Sequence, residues 1–300
     1  MTAVRGAFSH LLAPGFRKVL FETYKERPNE GSKLVNLETS QRAYEETFPI
    51  AGFGTLVDKP EGASVTYQDA QQGSVKRFTW STYGLGFRVT QEMMEDDLYG
   101  VFGNRMSKAL GRSARNNTEI VQHAPYNNAF DTSFSGFVSG ESLCSTTHAN
   151  IKGGTQSNRH STDADFDLLS LQVALESFHT LMDESGVIPM VLVPKLVVHS
   201  MGDYWMVNQV LKTQKLPGGN QNDINQVANE GLSAHLSHYL TDTDAWFVLC
   251  DEHRVQYYDR RKITFTNSDD FHTGDALYKL TRRNGSGYDD WRGVWGSQGS

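Results

Sequence analysis

The segment Val65–Tyr83, VTYQDAQQGSVKRFTWSTY, limits what this chain can become more than any other stretch. Two β-prone runs rich in Val, Thr, Tyr, Phe and Trp flank a polar Gln71-Gln72-Gly73 turn, a pattern that predicts a β-hairpin. Its outer strand sets Val75, Arg77 and Thr79 against Lys76, Phe78 and Trp80, so neither face is consistently apolar. A two-stranded hairpin alone is marginal in water. This one needs a surface from elsewhere to hold it.

Segments on either side make the same demand. Residues 1–52 mix aromatics with charges, as in Phe16-Arg17-Lys18 and Tyr24-Lys25-Glu26-Arg27-Pro28, without sustained periodicity, which predicts an arm lying on something else. After the hairpin a long helix is expected to open at the N-cap residue Thr90. Glu92, Glu95, Asp96 and Asp97 stand near its start and Arg105, Lys108, Arg112 and Arg115 further on, an order that complements the helix dipole. Met94, Leu98, Val101, Phe102, Met106, Ala109 and Leu110 form its apolar stripe. Gly100, Gly103 and Gly111 each cost about 1 kcal/mol relative to Ala, so this helix depends on packing more than on propensity.

Residues 127–161, rich in Gly, Ser and Asn, predict an extended loop with short strands. The clearest helix follows, DADFDLLSLQVALESFHTLMDESG, with Leu168, Leu171, Leu175, Phe178 and Met182 at spacings of three and four, an Asp or Ser to cap it and Gly186 to close it. VIPMVLVPKLVVHS is an extended apolar segment in which Pro194 marks an edge or strand end. MGDYWMVNQVLKT predicts a short helix, LPGGNQNDIN a loop, AWFVLC a buried strand, and VQYYDRRKITFTN and ALYKLTRRNGSGYDDWRGVWG late strands rich in charge. At 300 residues two packed units are expected. One is a middle α/β unit, and the other combines the long helix with the last strands.

A formal charge of −7 argues against an electrostatically driven nucleic-acid binder, although it is compatible with a local basic face. Only Cys144 and Cys250 occur, too few and too far apart for a disulfide framework or a zinc site. No apolar run is long enough to span a bilayer, and MTAVRGAFSHLLAPGF lacks the features of a signal peptide. Synthesis and use in the cytoplasm, or in something assembled there, is the expectation.

Chemistry is best sought in STTHANIKGGTQSNRH, Ser145 to His160. No serine has the flanking glycines of a nucleophile elbow, and Gly153-Gly154 runs into Thr155-Gln156 where a phosphate-binding loop would need Lys and Ser or Thr. A surface loop of turn formers is the simpler reading. Cys144 and His148 could form a Cys/His nucleophile only if they came within hydrogen-bond reach. His235 and His238 form an H-x-x-H without a third ligand, and the acidic cluster Glu92 to Asp97 is explained by a helix start. Asp259-Arg260-Arg261-Lys262 and Arg282-Arg283 are expected to be salt-bridging faces of strands. No catalytic, cofactor-binding or metal-binding residue is expected. What remains is an arm, an unsupported hairpin and a glycine-weakened helix, and together they describe a subunit of a large assembly.

The order of segments resembles the major capsid protein of tailed double-stranded DNA bacteriophages with the HK97-type fold, and among these the Mu-like major head subunit branch. The likeness is carried by FRVTQEMMEDDLYG, LCSTTHANIKGGTQSNRHSTDADFDLLSLQVALESF, IPMVLVPKLVVHS, LPGGNQNDIN, YLTDTDAWFVLCDE and DDWRGVWGS, across roughly Phe53 to Ser297. It implies an α+β HK97-type capsid fold with an N-terminal arm over 1–52 and an E-loop hairpin over 53–88. Part of a peripheral domain, with the spine helix and a connecting loop, would occupy 89–164. An axial α/β domain would span 165–255, and returning peripheral strands 256–300.

By the same resemblance the chain would be a non-enzymatic major capsid protein that self-assembles as hexamers and pentamers into an icosahedral shell around phage DNA. An encapsulin-like compartment of the same fold is the first alternative, and a Cys/His hydrolase a remote one. Implied partners are other copies of the chain, a separate scaffolding protein, a portal, a decoration protein and packaged double-stranded DNA bound without sequence specificity, with no membrane. The implied place is the virion capsid, assembled in the bacterial host cytoplasm. Some phages of this fold crosslink through an E-loop lysine; Lys76 lies in that hairpin, but with no partner Asn identified it is read as an interface cation. The acidic balance fits an inner surface that releases its genome easily.

Overall fold

The computed structural model describes residues 9–96, 101–134, 140–215 and 224–299; Leu98 and Gly100 of the expected helix and most of the LPGGNQNDIN loop lie outside them. The chain begins with α1 (Ser9–Glu26), β1 (Asn36–Thr39), β2 (Glu45–Thr47), β3 (Ile50–Ala51), β4 (Gln71–Gln72), β5 (Lys76–Phe78) and β6 (Ser81–Val89). It continues with α2 (Gln91–Asp96), α3 (Val101–Asn127), β7 (His148–Ala149), β8 (Thr155–Gln156), α4 (Leu168–Thr180) and β9 (Pro194–His199). Last come α5 (Tyr204–Lys212), β10 (Ser233–Leu236), β11 (Trp246–Cys250), β12 (Val255–Asp269), β13 (Ala276–Tyr288) and β14 (Val294–Ser297). Two compact units result. Unit 1 gathers the chain up to Ala43, Thr79–Gln122 and Tyr257–Gly285, and unit 2 gathers Tyr44–Phe78, His123–Gln256 and the chain from Ser286.

Unit 1 is built on the sheet β1-β12-β13-β6. Strand β13 alternates buried and open positions, as a half-covered antiparallel strand should. Tyr278, Ala276 and Val89 pack with Phe16, and Leu280 packs with Leu20, Leu110 and Ala114. Phe16 and Leu20 belong to α1, so a helix stands where the sequence reading found only an irregular arm. Its signal is short: Phe16, Leu20 and Thr23 are buried at spacings of four and three, and the charged residues between them mask it.

The glycines of α3 explain how α1 fits. A Cβ on Gly103 would fall 2.1 Å from the Phe16 ring, and one on Gly111 would fall 2.7 Å from the Leu20 carbonyl oxygen. Two residues that weaken the helix alone thus let a second helix lie against its backbone. The buried face of α3 is therefore mostly small or polar, with Ser107, Ala114, Thr118, Glu119 and Gln122 beside Leu110 and Val121. Ala109 of the expected apolar stripe is exposed. Glu119 Oε2 accepts from the Gly31 backbone N–H at 2.9 Å, and burial raises its carboxyl pKa. Thr90 Oγ1 accepts from the Met93 N–H at 3.3 Å, the cap expected from the sequence.

Unit 2 is built on the sheet β10-β9-β11-β14, in which all five residues of β11 are buried. Pro194 is the first residue of β9, where its missing N–H costs no interior ladder bond. Asp167 and Ser170 cap α4 reciprocally. The helix stops at Thr180, short of the expected stop at Gly186, because Gln156 takes the next turn: its Oε1 accepts from the Met182 N–H at 2.6 Å. Residues 286–300, grouped with the peripheral strands by the sequence reading, fall in this unit, where β14 pairs with β11. Among the described residues no helix is long and apolar enough to cross a membrane.

The expected hairpin takes a different form. Gln71-Gln72 is not a turn but the short strand β4, paired with β3, and β5 pairs with β2. The turn lies earlier, at Pro60–Ala63, where the Ala63 N–H reaches the Pro60 carbonyl at 3.1 Å and Gly62 takes φ +79°. Residues 52–70 run out from the β3–β4 pair and back with no strand pairing of their own, tied near the base by the Gly54 N–H to Gln68 Oε1 at 2.8 Å.

Gly111→Ala is expected to destabilise unit 1 by about 1–3 kcal/mol, since the obstacle is backbone that cannot turn aside. A shift in the urea unfolding midpoint reads it. Unchanged stability would show that the two helices separate freely.

Candidate functional site

The stretch Ser145–His160 and the C-terminal DDWRGVWGS meet inside unit 2, and their meeting is made by side chains. Asn158 is almost fully buried. Its Nδ2 donates to the carbonyls of Leu143 at 2.8 Å and Val294 at 2.9 Å, and Trp291 lies at 3.5 Å. Its Oδ1 accepts from the Ser145 N–H and from His148 Nε2, both at 2.9 Å. A primary amide offers two donors and one oxygen with two lone pairs. Here nearly all of that capacity is used.

His148 is fully buried and stacks on Trp291, with centroids 4.1 Å apart and rings 5° from parallel. Its Nδ1 faces Glu141 Oε2 at 3.6 Å, and His148 is the main cause holding the Glu141 carboxyl below its usual pKa. The histidine therefore holds the turn. It is not a surface group, as a loop of turn formers would have made it.

Arg292 is the second tie. Its Nη1 meets Glu184 Oε1 at 2.6 Å and Asp290 Oδ1 at 3.3 Å, Nε donates to the Met182 carbonyl at 2.9 Å and Nη2 to Asn150 Oδ1 at 3.0 Å. Gln156 Nε2 also donates to Asn150 Oδ1, at 2.7 Å. Gly153 and Gly154, at φ +104° and +85°, turn the chain between β7 and β8, a backbone that residues with a Cβ rarely adopt.

Lys76 departs from its sequence reading. It is 7% exposed, Nζ donates to the Asp289 carbonyl at 2.6 Å, and its pKa is lowered by burial against the opposing pull of Asp290, Asp289, Glu141 and Glu184. It is an internal tie at the foot of the 52–70 loop, not an interface cation. Lys152 Nζ adds a second tie there, to the Gly52 carbonyl at 2.6 Å. Residue type and position alone could not separate a buried lysine from an exposed one in an alternating strand.

The arrangement is not that of a nucleophile and base. Cys144 is buried, its thiol pKa pushed far up by desolvation, and its Sγ lies where a Cβ on Gly296 would come within 2.8 Å. His148 bonds Asn158 through Nε2 and faces the Glu141 carboxylate with Nδ1. His235 lies buried in β10 and His238 is exposed beyond it, so no helix face unites them. Among the described residues no group of three His, Cys, Asp or Glu is placed to hold a metal. The late basic runs are partly internal ties as expected: buried Arg282 Nη2 lies 3.6 Å from Asp259 Oδ2, and Arg260 Nε donates to the Arg42 carbonyl at 2.8 Å.

What the site can do is brace a projecting loop. Beside the charged Asp58, Lys59, Glu61 and Asp69 it displays large apolar side chains: Leu56 and Tyr67 are 102% and 90% exposed, with Phe53, Val57 and Val65 also open. Exposed apolar clusters of this kind mark surfaces that meet another macromolecule.

The chain matches the family described as phage capsid protein over residues 74–296. Among solved structures it is similar to one from Mycobacterium phage Patience, at 10% identity and TM-score 0.57, covering 98% of this chain and 88% of that one. A structure from Mycobacterium phage Che8 is similar at 11% identity and TM-score 0.56, with 90% and 92% covered. The capsid structure of Cyanophage P-SCSP1u is similar at 11% identity and TM-score 0.54, with 88% and 85% covered. At these identities the likeness is one of fold. No curated protein matches the chain.

Two outcomes test this geometry. Asn158→Ala is expected to cost about 3–5 kcal/mol, because several buried partners lose their bonds at once; a loss under about 1 kcal/mol in urea unfolding would contradict it. Asp203, at the N-terminus of α5, has its pKa raised to about 6 by burial, with Asp244, Asp165 and Asp242 adding repulsion. A carboxyl raised in the folded state binds more protons there than when unfolded, so its penalty grows from about pH 4 to pH 6 and persists above. Asp203→Asn is therefore expected to stabilise the protein by about 1–2 kcal/mol at pH 7 and by almost nothing at pH 4. Thermal unfolding at the two pH values reads the difference, and a gain independent of pH would refute the assignment.

Proposed function

The chain belongs to the phage capsid protein family and is a major capsid protein of HK97-type fold, and from that premise we propose how it builds a shell. Copies associate as hexamers and pentamers into an icosahedral container for double-stranded phage DNA. The element that joins them is the 52–70 loop, the E-loop of this fold. The observation that carries this reading is the pairing of a braced foot with large apolar side chains exposed along the arms of the loop. Lys76 and Lys152 fasten the foot, while Phe53, Leu56, Val57, Val65 and Tyr67 are left in water. From residue 52 to the turn at 60 the chain spans up to about 30 Å when extended, enough to cross onto an adjacent subunit. Covering those five side chains there would be favourable by about 25 cal/mol per Å² of apolar surface removed from water.

The remaining parts of the reading follow the resemblance. Residues 1–52 act as an N-terminal arm, 53–88 hold the E-loop, 89–164 and 256–285 contribute the peripheral domain with its spine helix, and 165–255 form the axial domain, which 286–300 join through the pairing of β14 with β11. The chain sits in the Mu-like branch, works without catalysis, cofactor or membrane, and is assembled in the host cytoplasm with a separate scaffolding protein, a portal and a decoration protein. An encapsulin-like role is not favoured by the family match.

Replacing residues 54–69 by a short Gly-Ser linker is expected to leave a soluble, folded subunit, since the deleted span carries none of the buried ties. Closed shells should be absent when the product is sized by light scattering and electron microscopy. Shells of normal size and stability would overturn the role given to this loop.

A further inference from the structure

The formal charge of −7 is an average over two unlike parts. Unit 1 carries 18 Lys and Arg against 13 Asp and Glu, whereas unit 2 carries 10 against 22. The whole-chain argument against contact with a polyanion therefore applies to unit 2 and fails for unit 1.

Within unit 1 the positive charge is focused on α3. From Val101 to Thr118 the helix contains no acidic residue. Arg105, Lys108 and Arg112 are all exposed, and no ion pair joins any of them to an acidic side chain among the described residues. At about 100° per residue the three fall within about 60° of one another, roughly opposite Gly103, Leu110 and Ala114, which are buried in this unit. The buried face fixes the rotation of the helix, so the basic stripe is held open to solvent by the same contacts that bury Phe16 and Leu20. Its length, about 10 Å from Arg105 to Arg112, suits successive phosphates of one nucleic-acid strand.

We propose that the Arg105–Lys108–Arg112 stripe of α3 is the surface by which this subunit meets the phosphate backbone of packaged duplex DNA, without reading its sequence. Three cations without base-reading partners supply counterion release and no specificity. The contact is weak per subunit, so that retention comes from repetition over a shell and release stays possible. This identification of the ligand rests on the capsid reading above; the charge segregation does not.

The test uses the full chain, a random-sequence 40-base-pair duplex as probe, and anisotropy titrations across a series of salt concentrations. Arg105→Ala/Lys108→Ala/Arg112→Ala is compared with Lys195→Ala/Lys212→Ala/Lys215→Ala, which removes three exposed cations of unit 2 outside the 52–70 loop and changes net charge equally. Loss of three phosphate contacts reduces the slope of log K against log salt by about 2.7. The stripe variant is expected to show that loss, and the unit 2 variant almost none. Equal effects of the two variants, no effect of either, or an unmodified chain that ignores DNA at low salt would each overturn the proposal, as would binding of polyglutamate in preference to duplex. Electron microscopy of the unmodified chain co-expressed with the proposed scaffolding protein separates the two readings: absence of shells there counts against the capsid role, while normal shells with an unchanged salt slope in the stripe variant count against the stripe alone.

Discussion

The buried carboxamide of Asn158 is the interaction on which unit 2 depends. It bonds the backbone of the connecting loop at Leu143 and Ser145 and that of the C-terminal segment at Val294, two stretches far apart in sequence. Buried amide groups are costly when left unpaired and modestly favourable when fully paired, so this side chain acts less as an energy source than as a condition. Only when both segments are in register are its bonds complete. Once they are, Trp291 is set for His148, Arg292 reaches Glu184 and Asn150, and the backbone at Asp289 receives Lys76. The foot of the projecting loop is thereby fixed to the centre of the unit.

That chain of dependence explains the enzyme-like composition of STTHANIKGGTQSNRH. Ser, Asn, His and Gly beside one another suit catalysis, but they equally suit a segment that must satisfy its own backbone while turning inside a protein. The glycines turn, Asn158 and Gln156 pair buried groups, and the histidine fills a slot against tryptophan. A polar loop that is buried and a polar loop that is active look alike until their partners are known.

The strands and helices with strong local patterns were legible: AWFVLC as a buried strand, α4 with its acidic cap, α5, and the Thr90 cap. The misreadings have physical causes. Helix α1 hides because, among its described side chains, three positions of its face are deeply buried and charges fill the gaps. The sequence points to a turn at Gln71-Gln72-Gly73, where β-prone residues flank a glycine, whereas the Gly62 conformation puts it at Pro60–Ala63. Lys76 reads as an interface cation in the sequence because nothing local announces a carbonyl from residue 289. Charge segregation was invisible for a different reason. Sequence totals sum over segments that folding sorts into separate units, and here the sorting leaves unit 1 basic and unit 2 strongly acidic. A basic helix face on an acidic chain can meet DNA at one surface while the rest repels it, which suits a container that must both fill and empty.

Assembly of this capsid protein is expected to run through the 52–70 loop. Cryo-electron microscopy of the chain co-expressed with the proposed scaffolding protein tests this most directly. The expected result is closed icosahedral shells in which Leu56 and Tyr67 of each loop are covered by an adjacent subunit. A persistent monomer, or shells in which both side chains remain in solvent, would contradict it.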